Sequence, residues 1–218
     1  MKKIIAIMVL VLALDQTSVY AFNWSSLLSG MPLQNRATAQ TTTSADVLKA
    51  LANFQSQAQS VDNSVQNSFL SVVSKISTPQ EATILNSKVA SILSNNTQTQ
   101  EQKNVLINQL MANYTANMNN NKTDIIEILE NMSTSDRAEL TSSLSDLAQN
   151  SKQYTQLAKQ GVSTAQTLMR ASQNANDVIT SINTIRQTAA NIKNRAATVT
   201  SFVNRVRSIS KYAGLFIQ

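Results

Sequence analysis

Apolar residues recur at spacings of three and four along most of this chain, and the longest regular pattern lies near its C-terminal end. Counted in sevens from Leu168, an apolar seam at heptad positions a and d continues to Ala213, and only Ser210 breaks it. Position a holds Leu168, Ala175, Ile182, Ala189, Ala196, Val203 and Ser210, and position d holds Ala171, Val178, Ile185, Ile192, Val199, Val206 and Ala213. A seam of roughly seven heptads is typical of coiled-coil-like helix packing.

The same heptad frame extends back to Leu140, but its polar content rises there. Gly161 occupies an a position, and a glycine inside a helix costs about 1 kcal/mol relative to alanine. We therefore expect residues 135–212 to form one long helix, or two coaxial helices with a weak point at Gly161. The polar d positions in this part are Ser143, Asn150 and Thr164.

Upstream of this frame, residues 44–76 carry nine apolar side chains at helical spacing and predict a helix about 50 Å long. Shorter apolar patterns follow it, and each is preceded by a helix start signal. A hydroxyl residue followed three positions later by Glu or Gln predicts a capping box. The predicted capping boxes are Thr78 with Glu81 and Thr97 with Gln100, and Thr123-Asp124 and residues 133–136 are two further start signals.

The composition also favours helices. The chain has three Gly and two Pro, too few for the many turns of a sheet protein. About two-fifths of it is Ser, Thr, Asn or Gln, so packing rather than propensity must hold the helices. We predict an all-α fold, an elongated multi-helix bundle with coiled-coil-like heptad packing and a long C-terminal helix. Residues 44–218 form this single domain, in which helix 44–76 packs against the C-terminal helix.

The first 21 residues have the layout of a secretory signal peptide. The opening MKK is basic, residues 4–14 are an unbroken apolar run, and Val19 and Ala21 are small residues at a cleavage site. The run is shorter than the roughly 20 residues that span a bilayer. We expect export to the periplasm or out of the cell, and the short Lys-Lys opening is typical of a bacterial protein.

Residues 22–43 divide into an apolar arm and a polar linker. Residues 22–33 (FNWSSLLSGMPL) are apolar and include the only Trp, whereas residues 34–43 (QNRATAQTTT) are polar and without a period. One interpretation is that the arm folds back on the bundle. The other is a free arm that recognises a partner or a membrane surface through Phe22, Trp24, Leu27 and Leu28.

Charge is distributed unevenly along the chain. The formal net charge is +6, and residues 170–218 carry seven basic residues against the single acid Asp177. A parallel homodimer through this helix would align like charges along the joint, which disfavours it. The candidate partner- or lipid-contacting residues of this basic flank are Arg186, Lys193, Arg195, Arg205, Arg207 and Lys211.

Three roles for the basic flank remain open. It pairs with acids of the same chain, for which residues 124–146 are a candidate, and otherwise faces solvent. Alternatively it contacts an external partner with an acidic helical surface, or an anionic membrane surface. Nucleic acid is disfavoured because no aromatic residues alternate with the basic ones to stack on bases.

The residues needed for most catalytic chemistry are missing from the sequence. The chain has no Cys and no His, which excludes thiol chemistry, Cys/His zinc sites and His-dependent triads. No two of its glycines lie close together, so no glycine-rich phosphate loop exists. Glu127 and Glu130 lie three positions apart on one helix face, as paired carboxylates do, but a solvated acidic face is the simpler interpretation. We predict no catalytic residue, no metal site and no cofactor.

These patterns predict an exported, non-enzymatic helical bundle with an interaction or structural role at the cell envelope or outside the cell. One alternative is a membrane-surface or anionic-lipid-binding protein that acts through the basic amphipathic C-terminal helix. A second alternative is a hydrolase with carboxylate chemistry.

Overall fold

The computed structural model describes residues 44–171 and 176–215, which form six α-helices. They are α1 (Ser44–Ile76), α2 (Pro79–Ser94), α3 (Gln100–Asn117), α4 (Lys122–Glu130), α5 (Thr134–Ala171) and α6 (Asn176–Tyr212). Within these ranges there is no strand, and the predicted all-α multi-helix bundle is confirmed. The signal peptide, the linker and the arm with Phe22, Trp24, Leu27 and Leu28 lie outside the described residues.

The three long helices α1, α5 and α6 form the core and alternate in direction. Hydrogen bonds between the hydroxyls of Ser143 and Ser71 and from the amide of Asn150 to Ser64 show that α5 runs antiparallel to α1. The Asp62–Arg195 ion pair and the Phe69–Phe202 ring pair, with centroids 5.0 Å apart, follow in the same order along both helices, so α6 runs parallel to α1. Helix α6 is therefore antiparallel to α5, and the apolar sides of all three helices face one another.

The structure corrects the prediction of one long helix, or two coaxial helices, over residues 135–212. Helix α5 ends at Ala171, α6 begins at Asn176, and the two pack side by side as an antiparallel hairpin. The physical reason is burial, because a straight helix of that length would leave its apolar seam in water, whereas folding back covers both halves. A heptad frame records spacing along a helix and does not detect a reversal of direction.

Gly161 is not a weak point, and α5 continues through it without a break. A Cβ atom at this position would lie 2.6 Å from Cζ of Phe54 and 2.9 Å from Cβ of Ala189. Glycine therefore allows α1 and α6 to approach α5 closely at one level of the core. The propensity cost that the sequence indicated is offset by this packing.

Three of the four polar residues in the predicted seam form hydrogen bonds, namely Ser143, Asn150 and Ser210. Ser143 and Ser71 lie 2.8 Å apart, and Asn150 donates to Ser64 at 2.9 Å. Ser210, which breaks the seam of α6, is fully buried and donates to the carbonyl of Val206. These d and a positions therefore satisfy their polar atoms inside the bundle.

The shorter helices begin close to their predicted start signals. The capping box of Thr78 and Glu81 is present at the start of α2. The second box forms between Thr99 and Gln102, two residues later than predicted, because the side chain of Thr97 bonds to Asn95 instead. Helix α3 lies alongside α1 and α6, to which it contributes the ring of Tyr114.

We predict that Gly161→Ala lowers the free energy of unfolding by about 1–2 kcal/mol, because overpacking outweighs the gain in helix propensity. Urea unfolding followed by circular dichroism measures this change. In the background of Phe54→Leu, which removes the clashing ring atoms, Gly161→Ala should lower the free energy of unfolding by less. An equal cost in both backgrounds would contradict the close approach at Gly161.

Candidate functional site: the basic face of helix α6

The structure separates the six predicted basic residues into two groups. Arg195 is buried, with 3% of its surface exposed, whereas Arg186, Lys193 and Lys211 are exposed. Arg205 and Arg207 are half-buried. Arg195 follows Arg186 by two and a half helical turns, so the two side chains leave α6 on opposite sides. The prediction that Arg195 contacts a partner does not fit its burial.

Arg195 belongs to a buried polar network that ties four helices together. Its Nη1 atom donates to both carboxylate oxygens of Asp62 on α1, at 3.0 and 2.9 Å. Asp62 also accepts a hydrogen bond from the hydroxyl of Tyr154 on α5 and one from the amide of Asn104 on α3. Arg195 forms a second ion pair with Glu101 at the start of α3.

Burial controls the electrostatics of this network. Burial raises the pKa of Asp62, and the opposing effects of Arg195 and Tyr154 only partly offset that rise. Burial lowers the pKa of Arg195, but the carboxylates of Asp62 and Glu101 outweigh it and leave the pKa raised. The pKa of Tyr154 is raised by burial and by the Asp62 carboxylate, so its hydroxyl remains a donor. The pair is expensive to desolvate, so removing one partner costs more than the intact pair contributes to stability.

The acidic stretch 124–146 does not neutralise α6. Its Asp136, together with Glu139, pairs with Lys75 at the end of α1. Glu127 and Glu130 are exposed, and no basic group of the described residues lies within 4.0 Å of either carboxylate. The acids that α6 uses are instead Asp62 and Glu101.

The other basic residues of α6 form no ion pair with any acidic side chain that the structure describes. No such carboxylate lies within 4.0 Å of any of them, and the only acidic residue of α6, Asp177, is not among the described side chains. Lys193 and Arg205 border a shallow depression of about 730 Å³ on the outer side of α6, which Thr155 of α5 closes on one edge. We call the side of α6 that carries Arg186, Lys193 and Lys211 the basic face. Arg205 and Arg207, two residues and thus about 200° apart, lie towards its two edges.

A second cavity, of about 540 Å³, lies between α2, α3 and α4. Its floor is apolar, with Leu85 and Ile125, and Glu81 at its rim bonds to Asn121. No group of three or more potential metal ligands occurs in the described part of the chain. None of the described helices is both long and apolar enough to cross a membrane.

Sequence reasoning missed the acidic half of the buried network, although a signal was present. Asp62 lies four residues after Ala58 and three before Val65, so it stands within the apolar stripe of α1. Arg195 lies three residues after Ile192 in the stripe of α6. A charge on the buried side of each of two helices indicates an ion pair between them.

Comparison with known proteins identifies no relative: no family model, no curated protein and no solved structure matches this chain. The site is therefore interpreted from its own geometry.

We predict that Arg195→Met lowers the free energy of unfolding by about 3–5 kcal/mol at neutral pH, because Asp62 loses its cation inside the core. The double variant D62N/R195M should recover most of this loss. The deficit of Arg195→Met should also shrink as the pH falls through the raised pKa of Asp62, since the protonated carboxyl no longer needs a cation. Urea unfolding at several pH values measures both effects.

The matched control for this prediction is E127K/E130K, which changes two acids that form no ion pair with the described residues. We expect no fall in its melting temperature. The network would lose its assigned role if Arg195→Met were as stable as the unchanged protein at neutral pH.

Proposed function

We propose that this protein is an exported, non-enzymatic interaction protein that binds an acidic partner through the basic face of α6. The observation that carries the proposal is the charge that the bundle leaves unpaired. Asp62 and Glu101 form ion pairs with Arg195, and Asp136 and Glu139 form ion pairs with Lys75. None of these four acids neutralises the basic face. An uncompensated positive surface attracts and orients an acidic partner.

An acidic protein suits this surface better than an anionic bilayer does. A helix that lies in a membrane interface buries its own apolar side among the lipids. The apolar side of α6, with Ile182, Ile185 and Ile192, is buried in the bundle instead. Among the described large apolar residues of α6, Ile179 and Tyr212 are exposed, so adsorption of α6 to lipid would rest mainly on charge, whereas a protein partner adds complementary shape.

The location of the proposed role follows from the signal peptide layout of residues 1–21. We expect the protein recovered from outside the cytoplasm to begin at Phe22, because the small residues Val19 and Ala21 suit a signal peptidase. N-terminal sequencing of the extracytoplasmic fraction tests this. Recovery of the chain only in the cytoplasm, with its first residues intact, would contradict export.

We predict that a photo-cross-linking benzoylphenylalanine at Ala197 captures the partner in the producing cells. Ala197 is exposed and lines the depression on the basic face. Mass spectrometry of the adduct should identify a protein segment with net negative charge. The charge reversal R186E/K193E should abolish the adduct, because it removes the attraction at the site of contact.

The matched control places the same cross-linker at Ala112, an exposed position on α3. Identical adducts from both positions, or an adduct from Ala197 that survives the charge reversal, would contradict the proposal. A lipid adduct at Ala197 would favour the membrane-surface alternative.

A further inference from the structure

The outer side of the α5–α6 hairpin carries two lines of exposed residues, each with a spacing of seven. Residues seven apart lie on the same side of a helix, two turns from one another. We call this surface the hairpin face, and its residues are Thr155, Val162 and Met169 on α5, and Ile179, Arg186, Lys193 and Thr200 on α6. All seven are exposed.

Two contacts show that these lines border the same surface. The guanidinium Nη2 of Arg186 lies 3.5 Å from the sulfur of Met169, so the lines meet near one end. Thr155 and Lys193 line the same shallow depression, so they also meet further along. The line on α5 is about 21 Å long and the line on α6 about 32 Å, at 1.5 Å per residue.

The hairpin face combines exposed apolar side chains with uncompensated positive charge. Val162, Met169 and Ile179 are large hydrophobic residues with 43%, 44% and 42% of their surfaces exposed. Lys152 and Lys159 precede and follow Thr155 by about one turn on α5 and add further exposed charge. Asp146 lies two and a half turns before Thr155, on the opposite side of α5.

We infer that the hairpin face binds an amphipathic helix whose apolar seam is flanked by acidic residues. The inference rests on the proposed function and specifies the partner. Heptad-spaced residues on two antiparallel helices form the ridges between which a further helix packs, as an added member of the bundle. Val162, Met169 and Ile179 contact the seam of this helix, while Arg186, Lys193 and Arg205 pair with its acidic flanks.

A helix fits these observations better than a bilayer surface. The apolar residues are confined to one end of the hairpin face, whereas the depression and its basic residues continue beyond them. A bilayer would contact the apolar end and leave the rest of the face in water. A helix of about seven turns, roughly 39 Å long, reaches from Ile179 to Arg205 along α6 and covers both.

The test uses two dye-labelled peptides of four heptads and the full chain. The seam peptide has Leu or Ile at a and d and Glu at e and g, so like charges prevent its self-association. The scattered peptide has the same composition without a seam. We expect the seam peptide to bind in fluorescence anisotropy and to gain helicity in circular dichroism, and the scattered peptide to bind at least about tenfold more weakly.

Three variants separate the contributions to binding. We expect V162S/M169S/I179S to weaken the binding of the seam peptide by about tenfold or more, because apolar contact is lost. R186E/K193E should weaken the binding of the seam peptide by a similar factor and make this binding less dependent on salt concentration. Ile84→Ser is the matched control, since Ile84 is 56% exposed on α2, away from the hairpin face, and this change should leave binding unaltered.

The outcomes distinguish this inference from the proposed function. If both peptides bind equally and only R186E/K193E weakens their binding, the proposal of an acidic partner is supported. The inference that this partner is an amphipathic helix is then overturned. If neither peptide binds and Ala197 captures no acidic protein, both fail. If vesicles of anionic lipid bind through Val162, Met169 and Ile179 while the seam peptide does not, the occupant is a membrane and the inference is overturned.

Discussion

The ion pair between Asp62 and Arg195 is the constraint on which the rest of the structure depends. Two charges buried in a core are tolerated only when they meet, and Asp62 accepts hydrogen bonds from three other helices. A slip of one residue along any of these helices would leave a buried charge without its partner. The pair therefore selects one register for α1, α3, α5 and α6 from the many that their small apolar side chains would permit.

The same constraint determines which side of α6 faces water. A helix is a rigid cylinder at this scale, so turning Arg195 inward turns Arg186 and Lys193 outward. The described acids that form ion pairs do so with Arg195 and Lys75, and the outer side of α6 remains positively charged. A stabilising interaction in the core and an unpaired charge on the surface thus have one structural origin.

Packing in this bundle depends on small and polar residues as much as on large apolar ones. Gly161 removes a side chain where Phe54 and Ala189 converge, and Ser143 and Asn150 bond across to α1. Each of these residues is unfavourable when helix propensity alone is considered. Each becomes favourable once the neighbouring helix is present, which is why local reasoning judged this part of α5 to be weak.

The sequence by itself determined the helical class, the apolar seams, the capping box of Thr78 and Glu81, and the excess of positive charge near the end of the chain. These properties are local, since they depend on residue type and spacing along one helix. Only the tertiary structure decided that the seam is divided between two helices, α5 and α6, that pack antiparallel, and that Arg195 turns away from the other basic residues. Direction and pairing depend on contacts between residues far apart in the chain, such as Asp62 and Arg195, which spacing along a single helix does not record.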